Sequence, residues 1–107
     1  MKIERIDIAK DFSDMPFGRN QNDGPDNGER FREEILYPKF ISSDEVHVYM
    51  DGAMGYGSSF LDEAFAGLYR NHKISKSEIK RKLKLHCSLD FILKSAWLYV
   101  DEANLEN

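Results

Sequence analysis

The sequence predicts one α/β layer domain, residues 1–107, in which a short β-sheet carries helices in the order β, α, β, α, β, α. Three observations predict it. A period-two aliphatic stretch opens the chain, an apolar run rich in β-branched and aromatic residues lies mid-chain, and three stretches carry large apolar residues at helical spacing. A chain of 107 residues suffices for one modest core.

Residues 2–10 set Ile6 and Ile8 against Asp7 and Ala9, the pattern of a half-buried strand. Residues 11–28, DFSDMPFGRNQNDGPDNG, hold Gly, Pro, Asn and Asp in the density that makes turns. This loop is longer than a compact domain normally needs, which marks it as functional or poorly ordered. Asp26 followed by Glu29 reads as a capping box opening the first helix. Phe31, Ile35 and Leu36 then form its apolar face, and Pro38 is expected to stop it.

The run VHVYMD, residues 46–51, reads as a central strand covered on both faces. After the turn GAMGYG, Ser58 or Ser59 is the expected cap of a helix with Phe60, Leu61, Ala64, Phe65 and Leu68 inward. Asp62 and Glu63 fall in its first turn, where the dipole favours carboxylates. In ISKSEIKRKLKLHC, Ser75 or Ser77 caps a short turn before an edge strand of Leu83, Leu85 and Cys87, with lysines facing out. Ser88 is the expected cap of a last helix bearing Leu89, Ile92, Leu93, Ala96, Tyr99, Val100 and Ala103 on one stripe.

With 41% hydrophobic and 32% charged residues, the chain is globular in composition rather than disordered. The lone Cys87 forms no intrachain disulfide, and the opening MKIERIDIAKDF lacks the apolar core of a signal peptide. A reducing cytoplasm, no export and no membrane span are expected. His47, His72 and His86 share no local spacing for a metal, so none is expected.

Charge is unevenly placed. Residues 1–69 hold 7 basic and 14 acidic side chains, residues 70–86 hold 7 and 1, and the remainder 1 and 4. The basic band lacks interleaved aromatics for base stacking, and the overall charge of −4 opposes nucleic-acid binding.

Residues 46–70, VHVYMDGAMGYGSSFLDEAFAGLYR, resemble the STAS-like domain family of unknown function, related to anti-sigma-factor antagonist (STAS) domains. Gly18 and Arg19 in the long loop, and Gly28, Phe31 and Arg32 at the first helix, look like further marks of that family, extending the resemblance over about 10–70. The resemblance implies a regulatory module acting by protein–protein interaction with a kinase- or ATPase-type partner, such as a histidine-kinase-type ATPase. In STAS domains a strand ends in Asp, and the first serine of a following Asp-Ser-Ser-Gly turn is phosphorylated. By position Asp51 is that acid and Ser58 and Ser59 the serine pair, with Gly57 and Phe60 standing where the family has Asp and Gly.

From the residues alone, Gly52, Gly55 and Gly57 before a helix start suit a phosphate or carboxylate, or simply a tight turn. Arg19, Arg30 and Arg32 are candidate anion partners. No Walker loop, Gly-x-Ser-x-Gly or His-Glu-x-x-His occurs, so an enzyme is unsupported and no cofactor is expected. The rival to the interaction module is a nucleotide or anion sensor, or a weak hydrolase, built on the Gly-rich loops and Arg19.

Overall fold

The computed structural model describes residues 1–105. Strand β1 (Ile3–Asp7) leads into a single helical turn, α1 (Ile8–Asp11). The long loop contains one 3-10 turn at Gln21–Asp23. Helix α2 spans 28–42, running Gly28–Phe31, widening into a π turn at Arg32–Leu36, and resuming at Tyr37–Ser42. Strand β2 (Glu45–Tyr49) precedes helix α3, 58–72, which carries a second π turn at Asp62–Ala66. Helix α4 (Lys76–Lys82), strand β3 (Leu83–His86) and helix α5 (Asp90–Glu102) follow.

Several expected helix boundaries are corrected. The cap of α2 is Asn27, whose Oδ1 accepts from the Arg30 amide at 2.8 Å, one residue after the expected Asp26. Pro38 does not stop α2. It follows directly on the π turn and occupies what is in effect the first turn of the resumed helix, where a missing N–H is tolerated. Ser58 and Ser59 do not cap α3, because Gly57 has the extended backbone of the cap position and the serines lie already inside the helix. Ser88 does not cap α5 either, since Leu89 takes that position without a side-chain bond. Ser75 does cap, accepting from the Glu78 amide at 3.2 Å, and the helix it opens is seven residues long where the sequence suggested only a turn.

The three strands are parallel in the order β1, β2, β3, with Ile6 beside Val48 and Val48 beside Leu85. Right-handed crossovers that always step the same way place the connecting helices on one side of such a sheet. That side carries Ile6, Val46, Val48 and Leu83, which join Phe31, Phe60 and Phe65 in one core. Helix α5 buries Ile92, Ala96 and Val100 by packing on α3, outside the sheet layer.

The opposite face carries Arg5, Glu45, His47, Tyr49, Lys84 and His86. It is not covered. Tyr49 is 37% exposed and His86 is exposed, which corrects the expectation that β2 is buried on both faces. A central strand of a parallel sheet normally needs that cover. Here the alternation of Val46 and Val48 with His47 and Tyr49 is a half-buried pattern, disguised because His and Tyr resemble core residues in a short run.

Two glycines are required by close approach. A β-carbon on Gly28 would lie 2.8 Å from the Phe60 carbonyl oxygen, so α2 crosses α3 at backbone contact. At Gly67 a β-carbon would lie 2.1 Å from Arg32 Nη1, so the glycine opens the space for that guanidinium.

Candidate functional site at the β2 to α3 turn

The turn between Tyr49 and Ser58 leaves the carboxyl end of the central strand, the end at which parallel sheets present ligand and partner sites. Asp51 sits at its start. Its carboxylate accepts from the Ser88 amide at 2.9 Å and from Ser88 Oγ at 2.9 Å, and Cys87 Sγ lies 3.5 Å away. Those Ser88 hydrogen bonds hold the exposed Asp51 carboxyl below the ordinary aspartate value. Asp51 therefore ties the turn to the end of β3.

Tyr56 donates its hydroxyl to the Met50 carbonyl at 2.7 Å, and burial pushes that phenol well above the usual tyrosine range. Between these groups lies a cleft of about 420 Å³ lined by Met50, Met54, Tyr56, Cys87 and Ile92 among others. Gly55 forms part of its wall.

Ser58 and Ser59 open onto a separate, smaller depression of about 200 Å³, shared with Phe17, Gly18, Asp23 and Gly57. Both serines are exposed and no side chain caps the helix end they occupy. The long loop is stitched to this region. The Met54 amide donates to the Asp14 carbonyl at 2.7 Å, and Ser13 Oγ donates to Asp26 at 2.8 Å. Around the serines stand three exposed apolar side chains, Met15 at 61%, Phe17 at 64% and Met54 at 79%. Sequence reasoning passed over them, although two large apolar residues in an otherwise polar loop were a readable signal.

The arginines lie elsewhere, in a polar network between α2 and α3. Arg32 is 1% exposed and donates Nη1 to the Glu63 carbonyl at 2.6 Å, Nη1 to Glu63 Oε2 at 2.7 Å and Nε to Glu33 at 2.7 Å. Arg19 donates to Asp62 at 2.7 Å, and Arg70 holds the same carboxylate at 2.9 Å. Arg30 bonds Asp26 and Glu34. His72 stacks on Tyr37 with centroids 3.6 Å apart, its Nε2 2.6 Å from Glu33. The basic band is also partly committed: Lys76 donates to the Asp101 and Ala103 carbonyls, and Lys80 pairs with Asp101.

Burial pushes the Asp62 carboxyl up, but the hydrogen bonds and charges of Arg70 and Arg19 overcome it and hold the group below its ordinary value. Glu33 behaves alike, its burial outweighed by His72 and Arg32. A depressed carboxyl adds stability above its unfolded-state value, about 3.9 for aspartate, and that stability disappears as the pH falls below it. Asp62→Asn is therefore expected to flatten the acid limb of a stability-against-pH curve, read from urea melts between about pH 6 and 3. An acid limb as steep as the wild type's would remove Asp62 from that role.

A family model, described as a STAS-like domain of unknown function (DUF4325), matches residues 27–86. The chain belongs to this family. No curated protein and no solved structure matches it. Within this STAS-like domain the matched span takes in α2, β2, the turn with Asp51, Gly55, Gly57, Ser58 and Ser59, α3 and β3. Arg32 lies inside it. Gly18 and Arg19 lie outside, so the resemblance read over about 10–70 is displaced toward the C-terminus. Among the described residues no helix is long and apolar enough to cross a membrane.

Proposed function

We propose that this STAS-like domain is a regulatory module that docks a signalling protein, of kinase or ATPase type, through the β2 to α3 turn. The observation that carries the reading is the ring of exposed Met15, Phe17 and Met54 around the exposed serines Ser58 and Ser59. Apolar side chains clustered at a surface mark a place where another protein removes them from water. The serines then supply a switch. A phosphate on Ser58 adds about −1.5 to −2 charges at the positive end of the α3 dipole, which the fold tolerates and an apolar partner surface does not.

Ser58→Asp is expected to weaken partner binding at least tenfold, about 1.4 kcal/mol, with the melting temperature nearly unchanged. Ser58→Ala is expected to bind normally and, because the hydroxyl makes no capping bond, to change stability by less than about 0.5 kcal/mol. The measurements are affinity for the partner captured from native cells and phosphopeptide mass spectrometry of the native protein. Wild-type binding by Ser58→Asp, with neither serine ever modified, would dismiss the switch.

The rival reading as a nucleotide or anion sensor has less support, because Arg19 and Arg32 already spend their guanidinium groups on Asp62, Glu63 and Glu33. A nucleotide at a hundred times its dissociation constant would add about 2.7 kcal/mol of stability. A thermal-shift screen is expected to show no such gain.

A further inference from the structure

On the uncovered sheet face, strands β2 and β3 bring together two histidines that lie 39 residues apart in the chain. The register sets Tyr49 beside His86 and His47 beside Lys84, so the two imidazoles are diagonal neighbours. His47 Nδ1 lies 2.8 Å from His86 Nε2, with the ring planes 12° apart. Tyr49 stacks on His86 with centroids 4.5 Å apart and limits how far that ring turns. Glu45 Oε1 lies 2.7 Å from His47 Nε2 and so favours the proton there, leaving the Nδ1 lone pair directed at His86.

We propose that His47 and His86 form a binding site for a tetragonal divalent metal ion, copper(II) or nickel(II), with Glu45 as the residue that orients the first ligand. A carboxylate behind a histidine, fixing its tautomer, is the usual support of a metal-bound imidazole. The spacing selects the ion class. With metal–imidazole bonds of about 2.0 Å, two nitrogens at 90° stand about 2.8 Å apart, whereas tetrahedral neighbours stand about 3.3 Å apart. The observed 2.8 Å fits adjacent corners of a square, the arrangement of copper(II) and nickel(II) rather than zinc.

Coordination needs both facing nitrogens free of hydrogen. His47 meets this already, and His86 meets it by carrying its hydrogen on Nδ1, a tautomer change that releases no net proton. Among the described residues no third His, Cys, Asp or Glu converges on the pair, so water completes the coordination and the ion stays exchangeable. Arg5 and Lys84 flank His47 on the neighbouring strands and oppose a dication, an exposed repulsion that salt screens.

The test is calorimetric titration of the 107-residue chain with copper(II) and with nickel(II), together with electron paramagnetic resonance of the copper complex. One ion per chain and the splitting of two equivalent-class imidazole nitrogens are expected. His47→Ala and His86→Ala should each abolish that signature, while His72→Ala keeps it. Glu45→Gln is expected to weaken binding by about ten- to hundredfold, the usual effect of losing an orienting partner. Both histidines stand on the face away from the core, and circular dichroism of each variant checks that the fold survives. Copper bound equally well by His86→Ala, a spectrum of one nitrogen, or no bound ion would each overturn the site.

Discussion

Arg32→Ala is expected to destabilise the domain by about 3–5 kcal/mol, read as a lower urea midpoint at unchanged slope. The guanidinium is 1% exposed and faces Glu63, whose side chain is 12% exposed. Without Arg32, that carboxylate keeps only Arg19 at 3.4 Å, and a buried charge that loses its main partner is costly. The Glu63 carbonyl, in the π turn of α3, loses its 2.6 Å donor at the same time. Arg32→Lys is expected to recover little, because an ammonium cannot reach a carbonyl, Glu63 and Glu33 with one planar fork. Gly67→Ala attacks the same contact from the other side, so it should add little in the Arg32→Ala background. A loss under 1 kcal/mol for Arg32→Ala would mean that the network is ornamental.

Phe65→Ala is expected to cost about 3–5 kcal/mol through the cavity it leaves. Phe65 has no exposure, meets Phe31 edge-on at 6.3 Å between centroids, and shares the core with Val46 and Val48 of β2. The site lies where α2, α3 and the sheet meet, so little can collapse into the space. Phe65→Leu keeps most of the volume and should lose much less. A Phe65→Ala loss below 1 kcal/mol in denaturant melts would contradict the packing of α3 on the sheet.

Elements whose signal is local were legible in the sequence. The spacing of Phe60, Leu61, Ala64, Phe65 and Leu68 marked α3, and the alternation around Ile6 and Ile8 marked β1. Boundaries were less so, because a serine near a helix start says nothing about whether it or its glycine neighbour takes the extended cap conformation, as at Gly57 and Ser58. Pro38 misled because a wide turn before it is invisible in apolar periodicity. Of the candidate site, Asp51 and the serine pair were readable as a strand end and a helix start. Their neighbours were not, since Ser88 reaches Asp51 from 37 residues away and Phe17 reaches the serines across the long loop. The burial of Arg32 depends on a glycine 35 positions later, which no local pattern announces.

The two π turns bear on how the chain's length can change. A π turn amounts to one residue more than a regular helix needs, and each residue advances a helix by about 100°. Deleting a single residue from 62–66 would let α3 close into regular helix with every backbone hydrogen bond intact. It would also rotate everything beyond by about 100° relative to what precedes it. Gly67 would swing from beneath Arg32, and Leu68 would leave the core while an exposed neighbour took its place. The extra residue in α3 is thus held in place by its consequences downstream, and compensating its loss would require the helix to drop or regain residues until the same face returned.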